Sequence, residues 1–180
     1  MAERVPGAGA LRPAGARLDW PWGAATALLA FVLDQATKWW VLVEAMNPPR
    51  VIPVTPFFNL TLGWNRGVSF GLLSANHPAT PWLLSSLALA IIAGLAVWTA
   101  RDPRPWRAVS VGSIAGGALG NVVDRLRYGA VTDFLDFHAA GYHWPAFNLA
   151  DTAILVGVAL LMVTGGRGEP ACAPNPADRS

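Results

Sequence analysis

Charged residues are scarce in this sequence. Asp, Glu, Lys and Arg make up 13% of the 180 residues, whereas 53% are hydrophobic. Soluble domains carry about 25% charged residues, so this composition is typical of a protein that lies in lipid. The formal net charge is only +2, and the basic residues are scattered along the chain. This excludes the basic patch that nucleic-acid binding requires, so we expect no nucleic-acid partner.

Cysteine is also scarce, and the common zinc-protease motif is missing. Cys172 is the single cysteine, which excludes a disulfide within the chain and a thiolate metal cluster. The histidines form no HExxH motif. His138 and His143 flank an acidic stretch and could bind a metal together with an aspartate, but two such histidines are more often solvated. We therefore predict neither a metal nor a cofactor.

Long apolar runs are what the sequence does contain. About 20 apolar residues are needed to cross the hydrocarbon layer. Four runs qualify, at residues 23–45, 80–100, 106–126 and 148–164. In the third run, Gly112, Gly116 and Gly120 recur every four residues on one helix face, which indicates close helix packing in lipid. These runs predict an all-α membrane fold with four transmembrane helices in a domain at residues 23–165.

The arginines predict the orientation of these spans. One side would carry Arg4, Arg12, Arg17, Arg101, Arg104, Arg107, Arg167 and Arg179, and the other only Arg50, Arg66, Arg125 and Arg127. Because short cytoplasmic loops are enriched in Lys and Arg, we expect both termini to be cytoplasmic. The N-terminal extension 1–22 and the tail 166–180 would then lie inside, and the Gly- and Pro-rich tail is expected to be disordered.

The two outer connections, 46–79 and 127–147, are not ordinary polar loops. Both are rich in β-branched and aromatic residues. Such residues favour strands, so we predict small β elements, and an amphipathic piece at the membrane surface.

Several acidic residues have both a structural and a functional interpretation. Asp151 follows Asn148 by three residues at the start of the fourth run. It could be a capping carboxylate, or a carboxylate kept ionised at a helix N-terminus for catalysis. Asp133 and Asp136 lie in a predicted strand and would point to opposite faces, one toward the helices and one toward water. Alternatively, both are solvated acids at a strand edge.

Two further acids lie near basic residues inside the predicted spans. Asp124 and Arg125 end the third span and could form a structural ion pair or a contact with the helix dipole. Asp34 and Lys38 are spaced for an ion pair on one face of a helix. Ionisable groups at this depth are costly and usually functional. Two aspartates that share one proton could activate a water and protonate an amide leaving group without a metal.

Five stretches together resemble lipoprotein signal peptidase, the signal peptidase II family. They occur in the family's order: DQATK from Asp34; NL from Asn59 with NRGVSF from Asn65; GGALGNVVDR from Gly116; GAVTDF from Gly129; and FNLAD from Phe147. The resemblance covers about residues 25–165. The N-terminal extension is the main departure from the family pattern.

The resemblance implies the fold, the site and the activity. The implied fold is a four-helix bundle with both termini cytoplasmic and a small extracytoplasmic β-cradle. The resemblance implies Asp133 and Asp151 as the catalytic aspartates of a peptidase. Residues expected to line and support the site are Asp34, Asn65, Asn121, Asp124, Arg125 and Asn148. The implied substrate is a prolipoprotein whose cysteine carries a diacylglyceryl group, cut before that cysteine. A monomer in the bacterial cytoplasmic (inner) membrane is expected, in contact with membrane lipid and with its active site at the outer face.

Two other functions remain possible from the sequence alone. Asp34 within a span would also suit a small proton-coupled transporter. The glycines of the third span would suit a non-catalytic membrane scaffold. A transporter would need carboxylates that reach the cytoplasmic side, and the cytoplasmic halves of the last three spans contain none.

Overall fold

A computed structural model describes residues 20–67, 77–101 and 104–165 of the chain. Its four long helices are α1 (Trp20–Trp40), α2 (Thr80–Arg101), α3 (Pro105–Tyr128) and α4 (Leu149–Gly165), and a short π-helical segment, Val41–Ala45, extends α1. Its strands are β1 (Ile52–Thr55), β2 (Phe58–Asn65), β3 (Val131–Ala139) and β4 (Tyr142–His143). The predicted tail 166–180, most of the N-terminal extension 1–22 and part of the outer segment 46–79 lie outside the described residues.

Helix α3 is the centre of the bundle and packs against α1, α2 and α4. Its glycine face allows α1 to approach closely. A Cβ atom added at Gly112 would collide with the carbonyl oxygen of Gly23, and one added at Gly116 would collide with that of Ala27. The predicted role of these glycines in close helix packing is confirmed.

The outer faces of the helices are strongly apolar. Exposed side chains include Leu28, Leu29 and Val32 on α1, Leu83, Leu87 and Ile91 on α2, and Leu155, Val156 and Met162 on α4. So much exposed apolar surface suits lipid better than water. Two helical segments, Trp20–Ala45 and Thr80–Arg101, are long and apolar enough to span a membrane, and Leu149–Thr164 is a shorter apolar helix. A crossing by all four helices stays a prediction.

The strands form one antiparallel sheet in the order β1-β2-β3-β4. In the pairing of β2 with β3, Gly63 lies opposite Asp133 and Asn59 lies opposite Asp136. A buried apolar cluster of Val41, Ala45, Met46 and Phe134 joins the sheet to the end of α1. The sheet therefore covers the end of the bundle at which α1 ends and α4 begins, as the β-cradle prediction requires.

The end of α3 leads directly into β3. Gly129 terminates α3 in the left-handed conformation at φ 71°, and its N–H donates to the Arg125 carbonyl over 3.0 Å. Glycine adopts this conformation without the clash that a Cβ would cause. The turn places the first residues of β3 beside the last turns of α3, where the acidic residues of both elements meet.

Candidate active site

Asn148 caps the N-terminus of α4 together with Asp151. The Oδ1 of Asn148 accepts the N–H of Asp151 over 3.0 Å, and the Oδ2 of Asp151 accepts the N–H of Asn148 over 3.3 Å. This reciprocal pair is a capping box. The interpretation of Asp151 as a capping carboxylate is confirmed, and the same contacts fix the direction in which its carboxylate points.

The side chain of Asn148 also reaches the second aspartate. Its Nδ2 donates to Asp133 Oδ1 over 2.7 Å, and Asn148 is completely buried. One amide thus binds Asp133 on β3 through its nitrogen and the backbone of Asp151 on α4 through its oxygen. The structure brings these two aspartates, 18 positions apart in the sequence, to the same buried amide.

Asn121 on α3 provides the next contact to Asp151. Its Nδ2 donates to Asp151 Oδ1 over 2.8 Å, while its Oδ1 accepts from Lys38 Nζ over 2.9 Å. An ammonium group can only donate, so the amide oxygen must face Lys38. The amide nitrogen of Asn121 therefore has to face the carboxylate of Asp151.

Lys38 is buried and has three acceptors. Besides Asn121, its Nζ lies 2.9 Å from Asp34 Oδ2 and 3.1 Å from Asp124 Oδ2. All three N–H bonds of the ammonium are therefore used. The predicted same-face ion pair of Asp34 and Lys38 is confirmed. The close ion pair predicted between Asp124 and Arg125 is not formed, because Asp124 turns into the bundle, where its buried carboxylate pairs with Lys38 instead.

The two acids of this triad also anchor the backbone beside each catalytic candidate. Asp34 Oδ1 accepts the N–H of Ala150 over 3.0 Å, directly before Asp151. Asp124 Oδ2 accepts the N–H of Thr132 over 2.9 Å, directly before Asp133. The triad of Asp34, Lys38 and Asp124 thus ties α1 and α3 to the two chain segments that carry Asp133 and Asp151.

Gly120 is required for this arrangement. A Cβ added at Gly120 would collide with the Oδ2 atom of Asp34. The third residue of the glycine face therefore makes room for a carboxylate, whereas Gly112 and Gly116 make room for backbone. Gln35 adds a donor at the same place, since its Nε2 lies 3.1 Å from Asp34 Oδ2.

Asp133 is buried, and its carboxyl group is the most perturbed of the outer acids. Burial and, to a smaller extent, the nearby charge of Asp151 raise the pKa of Asp133 from 3.8 to about 6. Hydrogen bonds from the Asn65 and Asn148 side chains work against this increase. A carboxyl group with this pKa carries its proton in mildly acidic water, which suits a general acid.

Arg125 has an unused hydrogen-bond donor and lies near Asp133 and Asp151. Its Nη1 makes a long bond of 3.4 Å to the carbonyl oxygen of Asn121. Its buried Nε has no hydrogen-bond acceptor among the residues described. The guanidinium interacts electrostatically with Asp151, Asp124 and Asp133. A buried N–H of this kind is available to an incoming carbonyl group.

The surroundings of Asp136 differ from both interpretations that the sequence suggested. It does not face water as a strand-edge acid, because it is buried with 7% exposure. Asn59 donates to its Oδ2 over 3.1 Å, and the Nδ1 of His143 lies 2.9 Å from each of its oxygens. The hydrogen bond with His143 lowers the pKa of Asp136. In the described parts of the chain, no set of three or more His, Cys, Asp or Glu residues is arranged to bind a metal.

The sequence analysis did not assign a site role to Lys38, Asn59 or His143. Lys38 had a local signal, because it lies four residues after Asp34. Its contacts with Asn121 and Asp124 are long-range and leave no spacing pattern. Asn59 and His143 meet Asp136 only once the sheet has formed, so the sequence offered no comparable signal for them.

Comparison with known proteins identifies the family. A family model described as signal peptidase (SPase) II matches residues 26–165. The chain is 44% identical over 154 residues to a lipoprotein signal peptidase of Rhodopseudomonas palustris (strain TIE-1), covering 83% of this chain and 94% of that protein. It is 44% identical over 158 residues to a lipoprotein signal peptidase of Methylobacterium sp. (strain 4-46), covering 85% and 96%.

Solved structures give the same result for the fold. A bacterial membrane enzyme determined by the in meso method at 1.9 Å resolution matches with a TM-score of 0.70 and 28% identity, over 81% of this chain and 92% of that one. A second such structure, at 2.3 Å resolution, matches with a TM-score of 0.68 and 28% identity, over 84% and 94%. These matches do not support the transporter alternative. The chain belongs to the signal peptidase II family of lipoprotein signal peptidases.

Proposed function

We propose that this chain removes signal peptides from prolipoproteins as an aspartic endopeptidase, with Asp133 and Asp151 as its catalytic pair. Its family membership supports the activity on prolipoproteins. The observation that carries the catalytic assignment is the contact of one buried amide, that of Asn148, with both aspartates. Asp34 and Asp124 also lie close together, but both of them bind the ammonium group of Lys38.

The two aspartates take different roles because their surroundings differ. Asp151 accepts N–H bonds from Asn121 and from the backbone of Asn148, which orient its carboxyl group. Burial and the charge of Asp151 raise the pKa of Asp133, which favours its protonated form. Asp151 is therefore the general base and Asp133 the general acid in the resting enzyme.

Peptide hydrolysis then proceeds in two proton-balanced steps. Asp151 takes a proton from a water molecule, whose oxygen adds to the scissile carbonyl carbon while Asp133 gives its proton to the carbonyl oxygen. This yields a neutral gem-diol, a protonated Asp151 and an ionised Asp133. Asp151 then protonates the amide nitrogen, and Asp133 recovers a proton from one hydroxyl as the C–N bond breaks. Both carboxyl groups return to their starting states.

Other polar residues are suited to binding the substrate backbone. The unused Nε of Arg125 can donate to a substrate carbonyl, and the amide of Asn65 lies beside Asp133. Asn121 and Asn148 are instead occupied by contacts within the protein, so we assign them to positioning the pair. Asp34 and Asp124 do not touch the catalytic pair. They bind the backbone N–H groups of the residues directly before Asp151 and Asp133.

We propose that all four helices cross the bilayer and that the sheet lies at the outer face, with the arginines between α2 and α3 in the cytoplasm. The substrate cysteine would carry a diacylglyceryl group among the outer acyl chains, while its preceding peptide bond meets the aspartates. One chain supplies every residue of the proposed site, which favours action as a monomer.

Cleavage of a lipidated peptide tests this function. Purified full-length protein in nanodiscs is given a prolipoprotein peptide with a diacylglyceryl cysteine, and an identical peptide with a free cysteine. Each buried CH₂ contributes about 0.8 kcal/mol to membrane binding, so we expect at least a ~10²-fold higher kcat/KM for the lipidated peptide. Equal rates for the two peptides, or cleavage at another bond, would contradict the proposal.

A further inference from the structure

A second polar cluster lies on the sheet, outside the catalytic pair. This hairpin cluster consists of Asp136 and His138 on β3, His143 on β4 and Asn59 on β2. The Asp136 side chain is only 10% exposed, beneath a His143 ring that is 55% exposed. His143 stacks against His138 with ring centroids 4.9 Å apart. The cluster thus covers a carboxylate that would otherwise face water.

The hairpin cluster stands at the start of the chain segment that leads to Asn148. After β3 the chain turns through Ala140 and Gly141, both with positive φ, and returns as β4. Beyond β4, the N–H of Trp144 donates to the Phe137 carbonyl over 2.8 Å. Residues 144–147 therefore run back along β3, and the next residue is Asn148.

The last residue of this return segment is bound to β3 beside Asp133. The carbonyl oxygen of Phe147 accepts the N–H groups of Phe134 and Leu135, at 3.0 and 2.9 Å, and its own N–H donates to Leu135. Its ring stacks on that of Phe137, with centroids 5.8 Å apart. The distance between Asp133 and the Asn148 amide is therefore set by how firmly the return segment lies on β3.

Backbone pairing alone is a weak closure for this hairpin. Strand β4 has two residues and pairs with β3 only through His138 with His143 and Ala139 with Tyr142. A hairpin of this size is marginally stable by itself. The bond from His143 to the buried Asp136 adds a charge-assisted contact at the point where pairing begins.

We propose that Asp136 and His143 are positioning residues for catalysis: their contact closes the β3–β4 hairpin and thereby holds the Asn148 amide against Asp133. The inference rests on the proposed function, since it assigns these residues a part in the same reaction. They touch neither catalytic aspartate and act through Asn148.

The inference predicts a specific change in pH dependence. Asn148 donates to Asp133 and so favours its ionised form, against burial and the charge of Asp151. Among the described residues, Lys38 on α1 and Arg125 on α3 are the cations that interact with this carboxylate, and neither belongs to the hairpin. A weaker bond from Asn148 would therefore raise the pKa of Asp133. The alkaline limb of the pH–rate profile reports proton loss from Asp133, so this limb would move to higher pH. A contact that served stability alone would not move this limb.

Three variants of adjacent residues test the proposal on the lipidated peptide. His143→Phe keeps a ring for stacking on His138 but removes the donor, and His143→Asn places an amide Nδ2 where the imidazole Nδ1 was. Tyr142→Phe is the matched control, since Tyr142 is 68% exposed on the same hairpin. We expect a loss in kcat of about 10-fold for His143→Phe, with little change in KM and a raised alkaline limb. His143→Asn should recover most of the activity, and Tyr142→Phe should match the parent protein.

The outcomes separate this inference from the proposed function. Normal kcat in His143→Phe, or reduced kcat with an unmoved alkaline limb, would overturn the positioning role. If His143→Phe fails to fold, Asp136→Asn is judged by the same two criteria. Asp133→Asn is measured in parallel: if it remains active, the catalytic assignment itself fails. If it is inactive while the hairpin variants behave normally, only the present inference fails.

Discussion

The ammonium nitrogen of Lys38 lies 2.9 Å from the side-chain oxygen of Asn121. This contact decides which way the amide of Asn121 faces, and so it decides that Asp151 receives an N–H bond. A lysine of the first helix therefore influences a carboxylate of the fourth without touching it. The same ammonium binds both Asp34 and Asp124, so structural support and orientation of the site depend on one cation.

Removal of this cation should destabilise the protein. In Lys38→Met, two buried carboxylates lose their partner, and loss of one member of a buried ion pair typically costs about 3–5 kcal/mol. We expect a clearly lower thermal unfolding temperature in detergent and loss of cleavage. Adding Asp34→Asn to Lys38→Met removes one of the unpaired charges and should recover part of the stability. An unfolding temperature equal to that of the parent protein would show that the triad does not stabilise the bundle.

Much of the architecture could be predicted from the sequence, because it depends on local patterns. The apolar runs predicted helices at residues 80–100 and 106–126, and the structure has helices at Thr80–Arg101 and Pro105–Tyr128. The cap was also predictable, since Asn148 and Asp151 lie three residues apart. In contrast, the partner of Asp124 and the burial of Asp136 depend on contacts with Lys38 and His143. Those contacts form only when distant segments pack, so spacing along the chain could not reveal them.

The glycine face of α3 gives a prediction on helix packing. Gly116→Ala introduces a Cβ that collides with the Ala27 carbonyl oxygen, so α1 and α3 must move apart. Overpacking of this kind typically costs about 1–3 kcal/mol, and we expect a lower unfolding temperature. Gly94→Ala on α2 is the matched control, because its added Cβ would meet nothing within 4 Å. The account of the packing is wrong if both variants unfold at the same temperature.

The pKa of Asp133 should depend on Asp151. The Asp151 charge raises the pKa of Asp133, so Asp151→Asn should lower it from about 6. Because burial is the larger cause, the value should remain above the ordinary 3.8. Carboxyl ¹³C NMR of protein labelled at aspartate, with Asp133→Asn to assign the signal, measures this change. An unchanged midpoint in Asp151→Asn would mean that the two carboxyl groups do not interact.

The same pKa predicts how activity varies with pH. The general acid must be protonated, so kcat/KM, which reports the free enzyme, should fall as pH rises through about 6. A bound lipidated substrate excludes water from Asp133 and raises its pKa further, so kcat should decline at a higher pH than kcat/KM. Initial rates at saturating and subsaturating lipidated peptide measure both limbs. A decline of kcat at lower pH than kcat/KM would contradict the assignment of Asp133 as the acid.

The most direct test of the central claim is the cleavage rate of two isosteric variants, Asp133→Asn and Asp151→Asn. Each should lower kcat for the lipidated peptide by about 10²–10⁴-fold or more, because each removes one of the two proton-transfer groups. The double variant should be hardly worse than either single one, since the pair acts as a unit. Glu44→Gln, which neutralises an exposed carboxylate at the end of α1, should cleave at the parent rate. Normal cleavage by either aspartate variant, in protein that unfolds at the parent temperature, would contradict the account.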